Sequence, residues 1–198
     1  MGEARLVETA EGLEPEGEGW FVLNVRDAVW WTTDELGAYC PFEGEAKFGQ
    51  LGINIHLLQP GQPNCMYHRE SDQEGFLVLS GECILVVEGQ ERRLRAWDFF
   101  HCPPGTNHVF VGAGSEPSAI LMVGARGPGD KGLYPVDEVA RKHGAGVDRD
   151  TSDGREAYAR YRPPERAAPP DGPWGLQDVT EYTAPTAPAS LRQRGDAR

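Results

Sequence analysis

The chain has 198 residues, 39% of them hydrophobic and 25% charged, enough for one domain with a substantial core and tails. Acidic residues outnumber basic ones 31 to 19, a formal charge of -12, which argues against nucleic acid or an anionic membrane as partner. No apolar stretch approaches the ~20 residues needed to span a bilayer. Much of the acid is concentrated in the first 18 residues, and this start lacks the apolar centre of a secretory signal. Leu6 also stands where a myristoylation pattern wants Ser or Thr.

Residues 1–19, rich in Glu and Gly, read as a flexible acidic N-terminus. From Trp20 the pattern becomes β-like: WFVLNVRDAVWW predicts one or two strands. AKFGQLGINIHLLQP alternates, with Leu51, Ile53, Ile55 and Leu57 on one face and Asn54, His56 and Leu58 on the other. After the PGQPN turn, CMYHRE predicts a short strand and GFLVLSGE a longer one ended by Ser-Gly. ECILVVEGQERRLR predicts a hairpin turning at Glu88-Gly89-Gln90. AWDFFHC, HVFVGAG and SEPSAILMVGAR complete a series of short strands between residues 20 and 126. Such a series, with no repeat period, indicates an all-β antiparallel sandwich or barrel.

After Gly127 the texture changes. LYPVDEVARKHGAG predicts a short helix, with Pro135 near its start and Gly144 just past its end, and REAYARY another turn or two. Residues 127–162 therefore read as a short helical extension and 163–198 as a Pro/Ala-rich tail, with Trp174 and Leu176 as its apolar exceptions. A lone Trp in such a tail suits docking onto the domain or a partner chain. The four cysteines, Cys40, Cys65, Cys83 and Cys102, show no C-x-x-C pair; they read as buried thiols and point to a reducing cytoplasm.

The chemistry concentrates in YHRESDQEGFLVLSGE, residues 67–82. Alternate residues of a strand share a face, so Met66, His68 and Glu70 point one way. Past the Ser71-Asp72-Gln73 turn, Glu74 opens the next strand with Phe76 and Val78 on its face. An antiparallel pair with this turn brings His68, Glu70 and Glu74 toward one point, and His108, just after the Pro103-Pro104-Gly105 turn, is the candidate fourth group. The opposite register would turn Tyr67 and Arg69 inward, but a guanidinium cannot ligate a cation whereas a carboxylate can. Two imidazoles and two carboxylates around a divalent ion sum to zero charge, which suits a low-dielectric interior. Taken singly, Glu74 also reads as a residue closing a turn and Glu70 as part of a solvated hairpin tip.

These segments resemble the two motifs of the cupin superfamily. The first is carried by Gly61, His68, Glu70, Glu74 and Gly81, the second by Pro103, Gly105 and His108 in WDFFHCPPGTNHVFVG. Three departures stand out. The gap from Gly61 to His68 is one residue longer than the pattern, Trp97 and Gly112 replace its Gly and Asn, and Glu70 stands where a second His is usual. The resemblance spans about residues 45–125 and implies an antiparallel jelly-roll β-barrel over 20–126, with one internal metal site. It implies His68, Glu70, Glu74 and His108 as ligands of Zn, Fe, Mn or Ni, among which the ligand types do not choose. Glu70, if not a ligand, would be a catalytic general base. It further implies a small-molecule ligand, with Trp20, Trp30 and Trp31 preceding the barrel in a segment that often crosses to a second copy in a homodimer.

Dioxygenase and isomerase chemistry are both expectations of this ligand scheme; the alternatives are a non-catalytic small-ligand binding or sensing module and a barrel that is purely structural. No helix-turn-helix pattern accompanies the strands, which disfavours a DNA-linked regulator. Phe76, Phe100, Phe110 and Met66 are expected to line the barrel, Cys65 and Cys102 to pack beside it, and His56 to be an ordinary sheet histidine; His101 and His143 join no constellation.

Overall fold

The computed structural model describes residues 2–129 and 132–174. Its strands are β1 (Arg5–Glu8), β2 (Leu13–Glu16), β3 (Trp30–Thr32), β4 (Ala38–Cys40), β5 (Leu51–Leu58), β6 (Glu74–Ser80), β7 (Glu82–Val87), β8 (Gln90–Arg95), β9 (Phe99–Cys102), β10 (His108–Ala113), β11 (Ser118–Ala125) and β12 (Glu165–Ala167). Helices α1 (Glu138–Lys142) and α2 (Gly154–Ala157) lie between the last two strands. Every paired strand is antiparallel. A seven-stranded sheet in the order β12-β3-β4-β5-β11-β6-β9 faces a three-stranded sheet, β10-β7-β8, in an all-β jelly roll.

The period-2 pattern explains the layers. Leu58, Phe76, Val78, Cys83, Leu85, Cys102, Phe110, Ile120 and Met122 form one buried cluster drawn from both sheets. Within it Phe76 and Val78, Cys83 and Leu85, and Ile120 and Met122 are i, i+2 pairs, so each strand turns one face inward. The outer face of the large sheet is also covered: Ile55 and Leu57 pack with Ala28, Trp30, Cys40 and Ala119. The β7–β8 hairpin turns on two residues, Glu88 and Gly89, both with positive φ (46° and 69°), and Gln90 already pairs with Val87. That is the backbone of a type I′ turn, which matches strand twist.

Several elements differ from their sequence reading. The aromatic run 20–31 becomes strand only at Trp30; Leu23 and Val25 instead lie over the outer sheet face, packed on the Trp30 cluster. Burial of a covering segment leaves the same apolar signature as strand pairing. CMYHRE joins its neighbours by isolated bridges, His68 to His108 and Arg69 to Leu133. The acidic segment read as flexible holds the β1–β2 hairpin, where Arg5 pairs with Glu16 across the strands and the Thr9 hydroxyl donates to the Gly12 carbonyl in the turn.

The extension after residue 127 clasps one side of the barrel. Asp137 caps α1 by accepting from the Ala140 amide, and Gly144 follows with a φ of 73°. Ala140 and Ala145 pack on Tyr67, Val86 and Val109, while Val147 and Ala157 pack on Met66. Met66 therefore faces the extension rather than lining the barrel. Within RPPERAAPP, read as linker, β12 adds an edge strand to β3; the prolines flank the paired residues, where a missing N–H costs nothing. Trp174 docks on the domain, its ring 5.4 Å from that of Trp30. Leu176 and the rest of the tail lie outside the described residues.

Candidate metal centre

His68 and His108 are directly opposite one another across an antiparallel bridge and exchange both backbone hydrogen bonds, at 3.1 and 2.8 Å. Residues so paired project to the same side; their ring centroids are 5.0 Å apart. His108 shares its inward face with Phe110 and is 1% exposed. Glu74 shares its face with Phe76 and sits opposite Gly124 on β11. The missing side chain at Gly124 leaves the carboxylate room, since a Cβ there would just touch the Glu74 side chain at 3.7 Å. The outcome is one ligand atom from each of His68, Glu74 and His108, all within 4.8 Å of one another.

Hydrogen bonds orient both imidazoles. Nδ1 of His68 lies 2.9 Å from the Met66 carbonyl and Nδ1 of His108 3.1 Å from the Thr106 carbonyl. A carbonyl only accepts, so each Nδ1 carries a proton and Nε2 is the ring atom left to face a cation. His108 Nε2 is 3.5 Å from a Glu74 oxygen, and His68 Nε2 is 3.6 Å from Glu70 Oε1. Burial, reinforced by the neighbouring His68 charge, pushes the His108 pKa down to about 3, so this ring stays neutral. Burial pulls His68 the same way, but Cys65 and Glu70 beside it outweigh this and hold its pKa well above 6.5. His108 Nε2, His68 Nε2 once a cation replaces its proton, and a Glu74 oxygen form a mixed nitrogen and oxygen set that suits a divalent ion with open positions. The backbone carbonyls supply the outer support that metal-bound histidines have.

Glu70 is not a member of this compact trio; its Oε1 stands beside Nε2 of His68 on the wall of the same cavity, with its side chain 30% exposed. Tyr67 points away, under α1, with its hydroxyl accepting from the Gly89 amide. Cys65 and Cys102 border the site: their sulfurs lie 3.6 and 3.5 Å from Nδ1 of His68 and His108. Burial and the Glu74 charge push the Cys102 thiol up to about 12, so it remains an inert packing group. Phe76 and Phe110 line the interior and Phe100 packs against them.

A cavity of about 360 Å³ opens on the trio. Sequence reasoning missed two of its walls. Tyr134 stacks on His68 at 5.7 Å, and Tyr158 packs edge-on to Tyr134 while its hydroxyl accepts from the Met66 amide. Both come from the extension, where no spacing motif marks them. His56, read as an ordinary sheet histidine, also lines this cavity, because it shares the inward face of β5 with Leu58.

Residues 54–124 match the family model described as "Cupin domain". Over these residues the chain carries a cupin domain. No curated protein matches its sequence. Among solved structures, a proposed sugar phosphate isomerase from Acidithiobacillus ferrooxidans is 26% identical over 42% of this chain and 54% of its own, with a TM-score of 0.39. A cupin-superfamily sugar phosphate isomerase from Silicibacter pomeroyi is 23% identical over 55% of this chain and 66% of its own, at 0.45. The polyketide cyclase RemF from Streptomyces resistomycificus is 16% identical over 54% of this chain and 80% of its own, at 0.47. This chain thus spans between half and two thirds of the length of the first two.

Proposed function

We propose that this cupin holds one divalent metal ion through His68, Glu74 and His108 and uses it to bind and activate a small organic molecule. One observation carries the reading: three ligand atoms within 4.8 Å of one another, with both Nδ1 atoms committed to backbone carbonyls. The ion would supply Lewis acidity toward a ligand oxygen. The remaining work falls to the chain itself. Glu70, beside but outside the trio, is placed to accept a proton from a ligand lying across His68. Phe76 and Met122 narrow the cavity and limit water, and Tyr134 holds the His68 ring by stacking.

The test is elemental analysis of the untagged protein after dialysis against a chelator and reloading with Zn, Fe, Mn or Ni in turn. The expected result is one equivalent of metal in wild type and in Glu70→Gln, and a loss of at least about tenfold in affinity in His68→Ala and in His108→Ala. Equal retention in the histidine variants would refute the trio. Loss in Glu70→Gln would make Glu70 a fourth ligand. A loaded protein that turns over no substrate while still binding one would instead be a ligand sensor.

A further inference from the structure

A second cavity, of about 610 Å³, adjoins the first. The two share four wall residues, Asn54, His56, Asn64 and Tyr158. Asn54 and His56 come from the inward face of β5, while the outer wall is built by the extension, including Arg155 and Arg162. These two arginines are, among the described residues, the only formally charged side chains lining the second cavity, and no carboxylate lines it. Among the described residues neither guanidinium has an ion-pair partner, a state shared with Arg26, Arg69, Arg92, Arg95 and Arg160, but only Arg155 and Arg162 bring it to this cavity wall. In a chain of net charge -12, a chamber lined, among the described residues, by two cations and no carboxylate is selectively attractive to an anion. The first cavity has the opposite character, with Glu70 and Glu74 on its wall and Arg126 neutralised by Glu43.

His56 stands where the two meet. Its ring stacks on Tyr39 at 5.4 Å, and its inaccessible Nδ1 has no hydrogen-bond partner among the described residues. Uncharged by burial, the ring lines the cavity as a neutral polar group rather than a charge. Tyr39, Leu36 and Pro163 make the rest of the chamber partly apolar. The combined space falls in the range of small-molecule sites.

We infer that the second chamber binds the anionic end of the protein's ligand: an organic oxyanion, carboxylate or phosphate monoester, on a partly apolar body, held by Arg155 and Arg162 and passing His56 toward the trio. The placement of the ligand's other end rests on the metal reading above; the arginine end does not. A guanidinium pairs with either oxyanion through parallel charge-assisted bonds, so both head groups share this chemistry.

The experiment is calorimetric titration of the full chain with phenylacetate, phenylphosphate and the neutral phenylacetamide, on wild type, the Arg155→Gln/Arg162→Gln double variant and His68→Ala. At least one oxyanion is expected to bind wild type roughly tenfold or more tightly than the amide, and to lose roughly that factor in the double variant. Amide binding and metal content should be unchanged in the double variant, which alters only exposed side chains. Whichever oxyanion binds more tightly identifies the head group. His68→Ala should lose metal yet keep the arginine-dependent difference, so failure of the metal site and failure of the anion site are separable. Equal binding by the double variant and wild type, equal binding of amide and oxyanions, or no binding of either oxyanion would overturn the inference.

Discussion

Replacing Gly112 with Ala, and more so with the Asn that the cupin motif carries there, should destabilise this protein severely. A Cβ built at Gly112 falls 2.1 Å from the Gln59 carbonyl oxygen and 2.8 Å from its carbon, with Leu58 oxygen at 3.0 Å. All three are backbone atoms, so no rotamer change relieves the overlap. The strand and the 59–62 turn would have to separate by roughly 1 Å or more, which is the overpacking situation that costs about 1–3 kcal/mol. Two hydrogen bonds span that gap, Gly61 N–H to Gly112 carbonyl at 2.8 Å and Gly112 N–H to Gln62 carbonyl at 2.9 Å. Weakening both adds about 1–3 kcal/mol. The sum, about 2–6 kcal/mol, is a large part of a typical domain's stability. Gly124→Ala is the control, because its Cβ meets only the flexible Glu74 side chain at an ordinary 3.7 Å; it should stay within about 1 kcal/mol of wild type. Urea denaturation followed by Trp fluorescence measures both. A Gly112→Ala midpoint equal to that of Gly124→Ala would refute the close approach.

Other expectations follow from single groups. Burial pushes the His56 pKa from 6.5 down to about 4, so as pH falls between these values the unfolded chain takes up a proton that the folded one refuses. Stability should drop by about 1.4 kcal/mol per pH unit across that window from this group, and His56→Gln should remove that component of the slope; denaturant midpoints at pH 6.5, 5.5 and 4.5 test it, and parallel slopes would count against it. Trp174→Ala should cost about 1 kcal/mol through loss of the edge-on contact with Trp30, read as a lowered thermal midpoint with secondary structure retained.

The barrel was legible because its strands bury one face each and the alternation is written plainly in LGINIHLL and GFLVLS. The same rule put Met66, His68 and Glu70 on one face, yet Met66 packs on the extension and Glu70 stands outside the trio of His68, Glu74 and His108. What failed to show in the sequence came from contacts between elements distant in the chain. Leu23 and Val25 look like strand but serve as cover, because apolar burial does not distinguish the two. β12 was hidden by the prolines around it, although three paired residues at a sheet edge suffice for a strand.

The extension shows most clearly why site reading from motifs stops short. Its motifless residues Tyr134, Tyr158, Arg155 and Arg162 build walls that the barrel motifs do not contain. Local spacing positions ligands for an ion because ligation needs atoms within a few ångströms of a point, which one hairpin and one bridge can supply. Recognition of an organic molecule works over the width of a cavity, and here that width is set by where residues 134–164 come to rest against β5. On the function proposed above, the chemistry of the trio would belong to the fold, and selectivity to the extension that the barrel motifs do not cover.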